Sequence, residues 1–161
     1  MDNLYELVIS DDIISLVRNK TISENVDLTV SQAECFNIVY NETTEVVGVI
    51  SYRYNNIPDY IDYGGNINYR IKENKRGNGI AKRALTLMLE ILKRNTKFND
   101  PLYVASPSYN EYYLEVAKEC GGILIHSGPV PTTVIDSFYD REMKNVDVYR
   151  FDIEKIKEKE R

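Results

Sequence analysis

Tryptophan is absent from this chain, histidine occurs once and cysteine twice, although tyrosine occurs 13 times. One histidine without a close cluster of other metal-type ligands leaves too few donors for a structural zinc site, so no metal is expected. Cys35 and Cys120 form neither a C-x-x-C pair nor a disulfide framework, which fits two free thiols in a reducing compartment. An excess of positive charge is also missing: 20 Lys and Arg stand against 25 Asp and Glu, a formal charge of −5. That balance argues against nucleic acid and for a cationic small molecule or peptide at the surface. Long apolar runs are lacking too, since stretches such as residues 46–50 are far too short for a membrane span. The acidic opening MDNLYELVISDD lacks the apolar stretch of a signal peptide. The expected setting is the cytoplasm, with neither nucleic acid nor a membrane as partner.

What is present fits one globular domain over residues 1–161, with 43% hydrophobic and 28% charged residues. Residues 4–10 read as a first strand and 11–18 as a short helix, while 19–33 are polar and ambiguous. ECFNIVY (34–40) and EVVGVISYRY (45–54) flank NETT, a hairpin loop of turn-favouring residues. NINYRI (66–71) alternates, with Ile67, Tyr69 and Ile71 on one face and Asn66, Asn68 and Arg70 on the other. Residues 79–94 have helical spacing, with Ile80, Ala84, Leu87, Met88 and Ile91 in one stripe and Lys82, Arg83 and Glu90 opposite. PLYVAS is the next strand, and a second helix over about 110–120 stops at Gly121–Gly122. ILIHS and VDVYRFDI are the last strands. The order β-α-β-β-β-α-β-α-β-β predicts an α+β fold on one mixed sheet.

KRGNGIAKRAL (75–85) joins the alternating strand to the first long helix. Gly77 and Gly79 bare the backbone where Lys75, Arg76 and Lys82 gather, and a helix begins there. Bare amides, positive charge and a helix N-terminus together suit an anion, most often phosphate. A dinucleotide fingerprint would need glycine at position 82, where lysine stands, and a Walker loop would need Gly-Lys-Ser/Thr.

RGNGIA (76–81) resembles the acyl-CoA signature Gln/Arg-x-x-Gly-x-Gly/Ala of the GCN5-related N-acetyltransferase superfamily, matching it position by position. SPSYNEYYLEVAKECGG resembles that superfamily's strand-then-asparagine-helix unit, with Asn110 opening the helix. The longer run from FNIVYNETTEVVGVISYRY to KRGNGIAKRALTLMLEILKRN is similar to a bacterial branch, and the resemblance covers about residues 35–153. It implies a GNAT-like acyl-CoA N-acyltransferase fold: a mixed central sheet flanked by helices, with acetyl-CoA in a gap between the fourth and fifth strands.

In that resemblance the backbone of Arg76, Gly77, Asn78, Gly79, Ile80 and Ala81, with Lys82 beside it, binds the CoA pyrophosphate. The Arg76 guanidinium adds charge-assisted bonds, and Ala81 is small so that the phosphates can approach. Main-chain groups of Tyr69 and Ile71 serve the pantetheine arm and the acetyl oxygen. Asn110 bonds the pantetheine amide or caps its helix. The strand position where many relatives carry a base glutamate is held here by Asn66 and Asn68. Water relayed by those asparagines, or Asp62 or Glu73 from the flanking loops, is left to take the amine proton, and His126 reads as structural. The helix position usually held by a tyrosine acid is Ala117. Tyr113, one turn earlier on the same face, is the expected proton donor to the thiolate.

The expected reaction is direct acetyl transfer from acetyl-CoA to a primary amine in a ternary complex, since no cysteine sits at the expected thiol position. A non-catalytic acyl-CoA-binding or sensing module of the same fold is the alternative. The acceptor is expected to be an amine-bearing small molecule or peptide. Residues 55–65, with Asp59, Tyr60, Asp62 and Tyr63, suit a cationic one. The tyrosine-rich loops also suit a homodimer contact.

Overall fold

Period-two alternation, not helical spacing, governs the first well-defined stretch of the chain. Ile14 and Leu16 are fully buried while Ile13 and Val17 are exposed. The helix expected over 11–18 is therefore a strand, because only a pleated backbone sends alternate residues to opposite faces. The computed structural model describes residues 8–19, 32–54, 65–94, 101–129 and 145–152. The chain divides into two units, Met1–Tyr54 with Asn68–Asp100, and Asn55–Ile67 with Pro101–Arg161. The expected strand over 4–10 is seen at its end only; its earlier residues, and most of 19–33, lie outside the described residues.

In the first unit, β1 (Ile9–Ser10), β2 (Ile14–Arg18), β3 (Gln32–Tyr40), β4 (Val46–Tyr54) and β5 (Ile67–Ile71) form a sheet in chain order. β1 to β4 pair antiparallel, with Leu16 opposite Ile38 and Phe36 opposite Ile50. The predicted NETT loop closes the β3–β4 hairpin, where Tyr40 N–H donates to the Glu45 carbonyl at 2.9 Å. An irregularity in that pairing leaves Val47 as an extra residue on β4. Beside it, a Cβ on Gly48 would run into the Arg70 carbonyl, so only glycine lets β4 and β5 lie this close. The helix α1 (Ile80–Arg94) packs its apolar stripe on β1, β2 and β4. Ala84, Leu85, Met88 and Ile91 are fully buried there with Ile14, Phe36 and Ile50. Between β2 and β3, Arg18 Nε donates to Glu34 Oε2 at 2.8 Å, with side chains only 9% and 3% exposed.

Asp11 fixes the turn between β1 and β2. Its Oδ1 accepts from the Ile13 and Ile14 amides at 2.7 and 2.8 Å, and its Oδ2 accepts from Arg83 of α1 at 3.0 Å. Burial pushes its carboxyl up, but the Ile14 and Ile13 amides and Arg83 outweigh that and hold it below the usual value. A lowered folded pKa adds stability at neutral pH that is lost as pH falls through the acid range. Asp11→Ala should lower Tm at pH 7 by about 2–4 °C, the shift that about 1 kcal/mol produces at this size. The gap between variant and unaltered protein should narrow in melts at pH 3. An equal gap at both pH values would show that the charge adds nothing.

The second unit holds β6 (Leu102–Pro107), α2 (Glu111–Glu119), β7 (Ile123–Pro129) and β8 (Asn145–Phe151). The three strands pair antiparallel in the order β6-β8-β7, and α2 packs on β6 and β8. The predicted glycine stop is present: Gly121 takes φ 98°, and Gly122 N–H returns to the Ala117 carbonyl at 3.0 Å. Asp147 of β8 accepts from both Ser108 and Ser127 at 2.7 Å. β7 is an edge strand whose Ile123, Leu124 and Ile125 are all exposed. Among the described residues no helix is long and apolar enough to cross a membrane.

Candidate cofactor-binding site

β5 is the edge of its sheet, and one hydrogen bond fixes which way its backbone faces. Lys72 N–H donates to the Val47 carbonyl of β4 at 2.8 Å. In an antiparallel pair, alternate residues turn both N–H and C=O to opposite edges. The main-chain groups of Tyr69 and Ile71 therefore point to the edge of β5 away from β4. Their side chains are buried, only 4% and 6% exposed, so what these residues offer a ligand is backbone.

From Ile71 the chain passes through a short 3-10 turn, Glu73–Lys75, into the glycine segment. Gly77 and Gly79 take φ 83° and 73°, a left-handed conformation that side chains rarely adopt. A Cβ at either would meet nothing within 4 Å, so conformation and not crowding demands glycine. Arg83 N–H donates to the Gly79 carbonyl at 3.2 Å, which makes Gly79 the residue that caps α1. The amides of Ile80, Ala81 and Lys82 then have no acceptor within the helix. Asn78 and Arg76 are exposed; Asn78 Nδ2 donates to the Lys75 carbonyl at 3.2 Å and Arg76 Nε to the Ile71 carbonyl at 3.0 Å. A cleft of about 650 Å³ opens here, lined by Arg70, Ile71, Lys72, Glu73, Asn74 and Arg76.

Two readings of this segment change. Lys75 is turned away, paired with Glu45 at 3.2 Å and lying 5.6 Å over the Tyr40 ring, so it does not join the cations of the turn. Ala81 is 2% exposed, and its small size answers to packing in the core of α1, not to room for phosphates. Arg70 and Lys72, which the sequence reading did not select, line the cleft. The alternation of 66–71 already put Arg70 on the wet face.

Asn66 is 2% exposed and committed to structure. Its Nδ2 donates to the Pro101 carbonyl, and its Oδ1 accepts from Tyr103 N–H, both at 2.7 Å. A buried amide holding two backbone groups has no route to relay solvent, whereas Asn68 is exposed on β5. Asn110 precedes α2 without a side-chain cap; its Nδ2 donates to Ser106 at 3.0 Å. Tyr113 is half-buried, Tyr112 is 53% exposed and Ala117 is fully buried. The lone His126 is half-buried on β7, its Nε2 3.3 Å from the Gly128 carbonyl. Burial, with the Glu34 charge beside it, pushes the Cys35 thiol above its usual range, which suits an inert thiol. Among the described residues no three His, Cys, Asp or Glu side chains converge as metal ligands. Asp59, Tyr60, Asp62 and Tyr63 lie outside the described residues.

No family profile and no curated protein matches the chain. Solved structures do. A Vibrio cholerae protein assigned as a ribosomal-protein-serine acetyltransferase aligns at TM-score 0.61 and 17% identity, over 91% of this chain and 98% of its own. The ribosomal L7/L12 alpha-N-protein acetyltransferase RimL, solved with coenzyme A, aligns at TM-score 0.63 and 15% identity, over 90% and 97%. The microcin C7 self-immunity acetyltransferase MccE, solved with acetyl-CoA and AMP, aligns at TM-score 0.54 and 20% identity. That match takes in 74% of this chain and 60% of the MccE chain. At such identities the likeness establishes the fold. The chain has the α+β acyl-CoA acyltransferase fold of the GCN5-related N-acetyltransferases, as the 76–81 signature implied.

Proposed function

We propose that this protein is a single-domain, acetyl-CoA-dependent N-acetyltransferase acting on a primary amine. One observation carries the reading: the left-handed glycine turn from Arg76 to Ala81 opens α1 right after β5, the last strand of its sheet. The amides of 80–82 and the Arg76 guanidinium would bind the pyrophosphate. Backbone groups of Tyr69 and Ile71 would pair with the pantetheine arm, and an N–H there would stabilise the oxyanion of the thioester carbonyl. The amine nitrogen attacks that carbonyl, the C–S bond breaks, and the thiolate takes a proton from Tyr113. The amine proton leaves to Glu73, which lines the cleft, or to water held by Asn68. Direct attack suits a chain with no cysteine at the position where the resemblance would place a reactive thiol.

A non-catalytic acyl-CoA-binding module has one observation in its favour: Asn66, at a base position, is locked into structure. A free-CoA release assay with pooled amines separates the two, since binding without turnover favours the module. For donor binding itself, Gly79→Asp is the informative variant. Aspartate tolerates the left-handed region and meets no neighbour there. Its carboxylate would face the phosphates and raise the acetyl-CoA Kd at least about tenfold, or about 1.4 kcal/mol. Unchanged affinity by calorimetry on the folded variant would overturn the placement.

A further inference from the structure

Several cations among the described residues of the first unit are paired. Arg18, Lys75, Arg83, Lys93 and Arg94 each reach a carboxylate. Arg70 and Lys72 do not: both are exposed, and among the described residues neither side chain has an ion-pair or hydrogen-bond partner. In a chain with five more acids than bases, two cations on one cleft lining with no carboxylate partner among the described residues are available to an anion. They stand on either side of Ile71 and point to one face of β5, about 7 Å apart along the strand at about 3.3 Å per residue. Glu73 is the carboxylate that lines the same cleft. The cleft lining thus carries three positive charges, Arg70, Lys72 and the tethered Arg76, and one negative charge, Glu73, beside the backbone proposed for the thioester.

We infer that the acceptor is an amine that also carries an anionic group, a carboxylate or a phosphate, and that Arg70 and Lys72 hold that group. The inference rests on the donor reading above, which reserves Arg76 and the glycine turn for CoA. The planar guanidinium of Arg70 matches either anion with two parallel hydrogen bonds, and Lys72 adds a point charge. Glu73, on the same cleft lining, would draw the amine of such a zwitterion and could take its proton. The acceptor so defined departs from the cationic one expected from net charge and from residues 55–65. Local charge in a cleft, not the sum over the surface, decides what is held there.

Matched probes test this. Glycine against glycinamide and phosphoethanolamine against ethanolamine are offered to the acetyl-CoA-saturated protein, and both acetylation and equilibrium binding are read. In at least one pair the anionic member should be preferred at least about tenfold, and the pair that shows it names the anion. In the R70Q/K72Q variant, whose exposed sites leave the core untouched, that preference should collapse while the acetyl-CoA Kd stays within about twofold. A panel without anionic preference, including one with neither binding nor turnover, overturns the inference. So does a variant whose acetyl-CoA Kd rises about tenfold, for the cleft would then belong to the donor. If the unaltered protein fails to bind acetyl-CoA, the donor reading falls first and this one with it.

Discussion

Tyr113→Phe is expected to lower kcat by about a hundredfold or more, the usual contribution of a general acid, while acetyl-CoA binds as before. At 1.36 kcal/mol per decade that is about 2.7 kcal/mol of transition-state stabilisation. The expectation rests on α2. The helix position where the resemblance implies a tyrosine acid is Ala117, which is fully buried. A phenol there would have to enter the core, so the proposed acid is placed one turn earlier. Tyr113 lies four residues back on that face and is half-buried, poised between core and solvent. Tyr112, more than half exposed, points elsewhere, and Tyr112→Phe should change little. The Tyr113 effect should shrink with an acyl donor whose thiol has a lower pKa, because a better leaving group needs less protonation. Retention of more than about half of kcat, with chemistry rate-limiting, would assign the protonation to water.

Arg18→Met should destabilise the protein by about 3–5 kcal/mol, the penalty for leaving a buried charge without its partner. Glu34 is 3% exposed on its side chain and takes its 2.8 Å bond from Arg18. Against a total stability of about 5–15 kcal/mol, that loss threatens folding at 37 °C. The double variant Arg18→Met/Glu34→Leu should recover most of it, since apolar groups of similar size replace a desolvated pair at little net cost. Urea midpoints at constant m-value give the comparison. A single variant within about 1 kcal/mol of the unaltered protein would mean that water reaches the pair.

Elements with a strong period are legible in the sequence. The apolar stripe of α1 and the alternation of β5 each specify a face, and burial follows that face residue by residue. The failures have local causes. Asp11–Asp12 resembles a helix start, yet Asp11 uses its carboxylate to close a strand turn, and a five-residue strand is too short to announce its period. The glycine turn was legible because φ near +75° admits few residues other than glycine. The roles of Asn66 and Lys75 were not, because each is decided by a partner remote in sequence: Tyr103 for one, Glu45 for the other. Arg70 was visible as a wet-face residue, but sequence alone does not show which wall a wet face lines.

The bond from Arg76 to the Ile71 carbonyl has a consequence for the entropy of association. A free arginine samples many rotamers, and immobilising one costs about 1.5–2 kcal/mol. Here the side chain is already tethered through Nε at 3.0 Å, while its two terminal nitrogens have no acceptor among the described residues. Part of the ordering is thus completed during folding. If Arg76 binds phosphate as proposed, the anion would meet a guanidinium already tethered and give up less of its binding energy to still it. The tether makes the arginine a template as well as a charge. A lysine at position 76, with the same charge and no Nε to anchor, would have to be stilled afresh at each encounter.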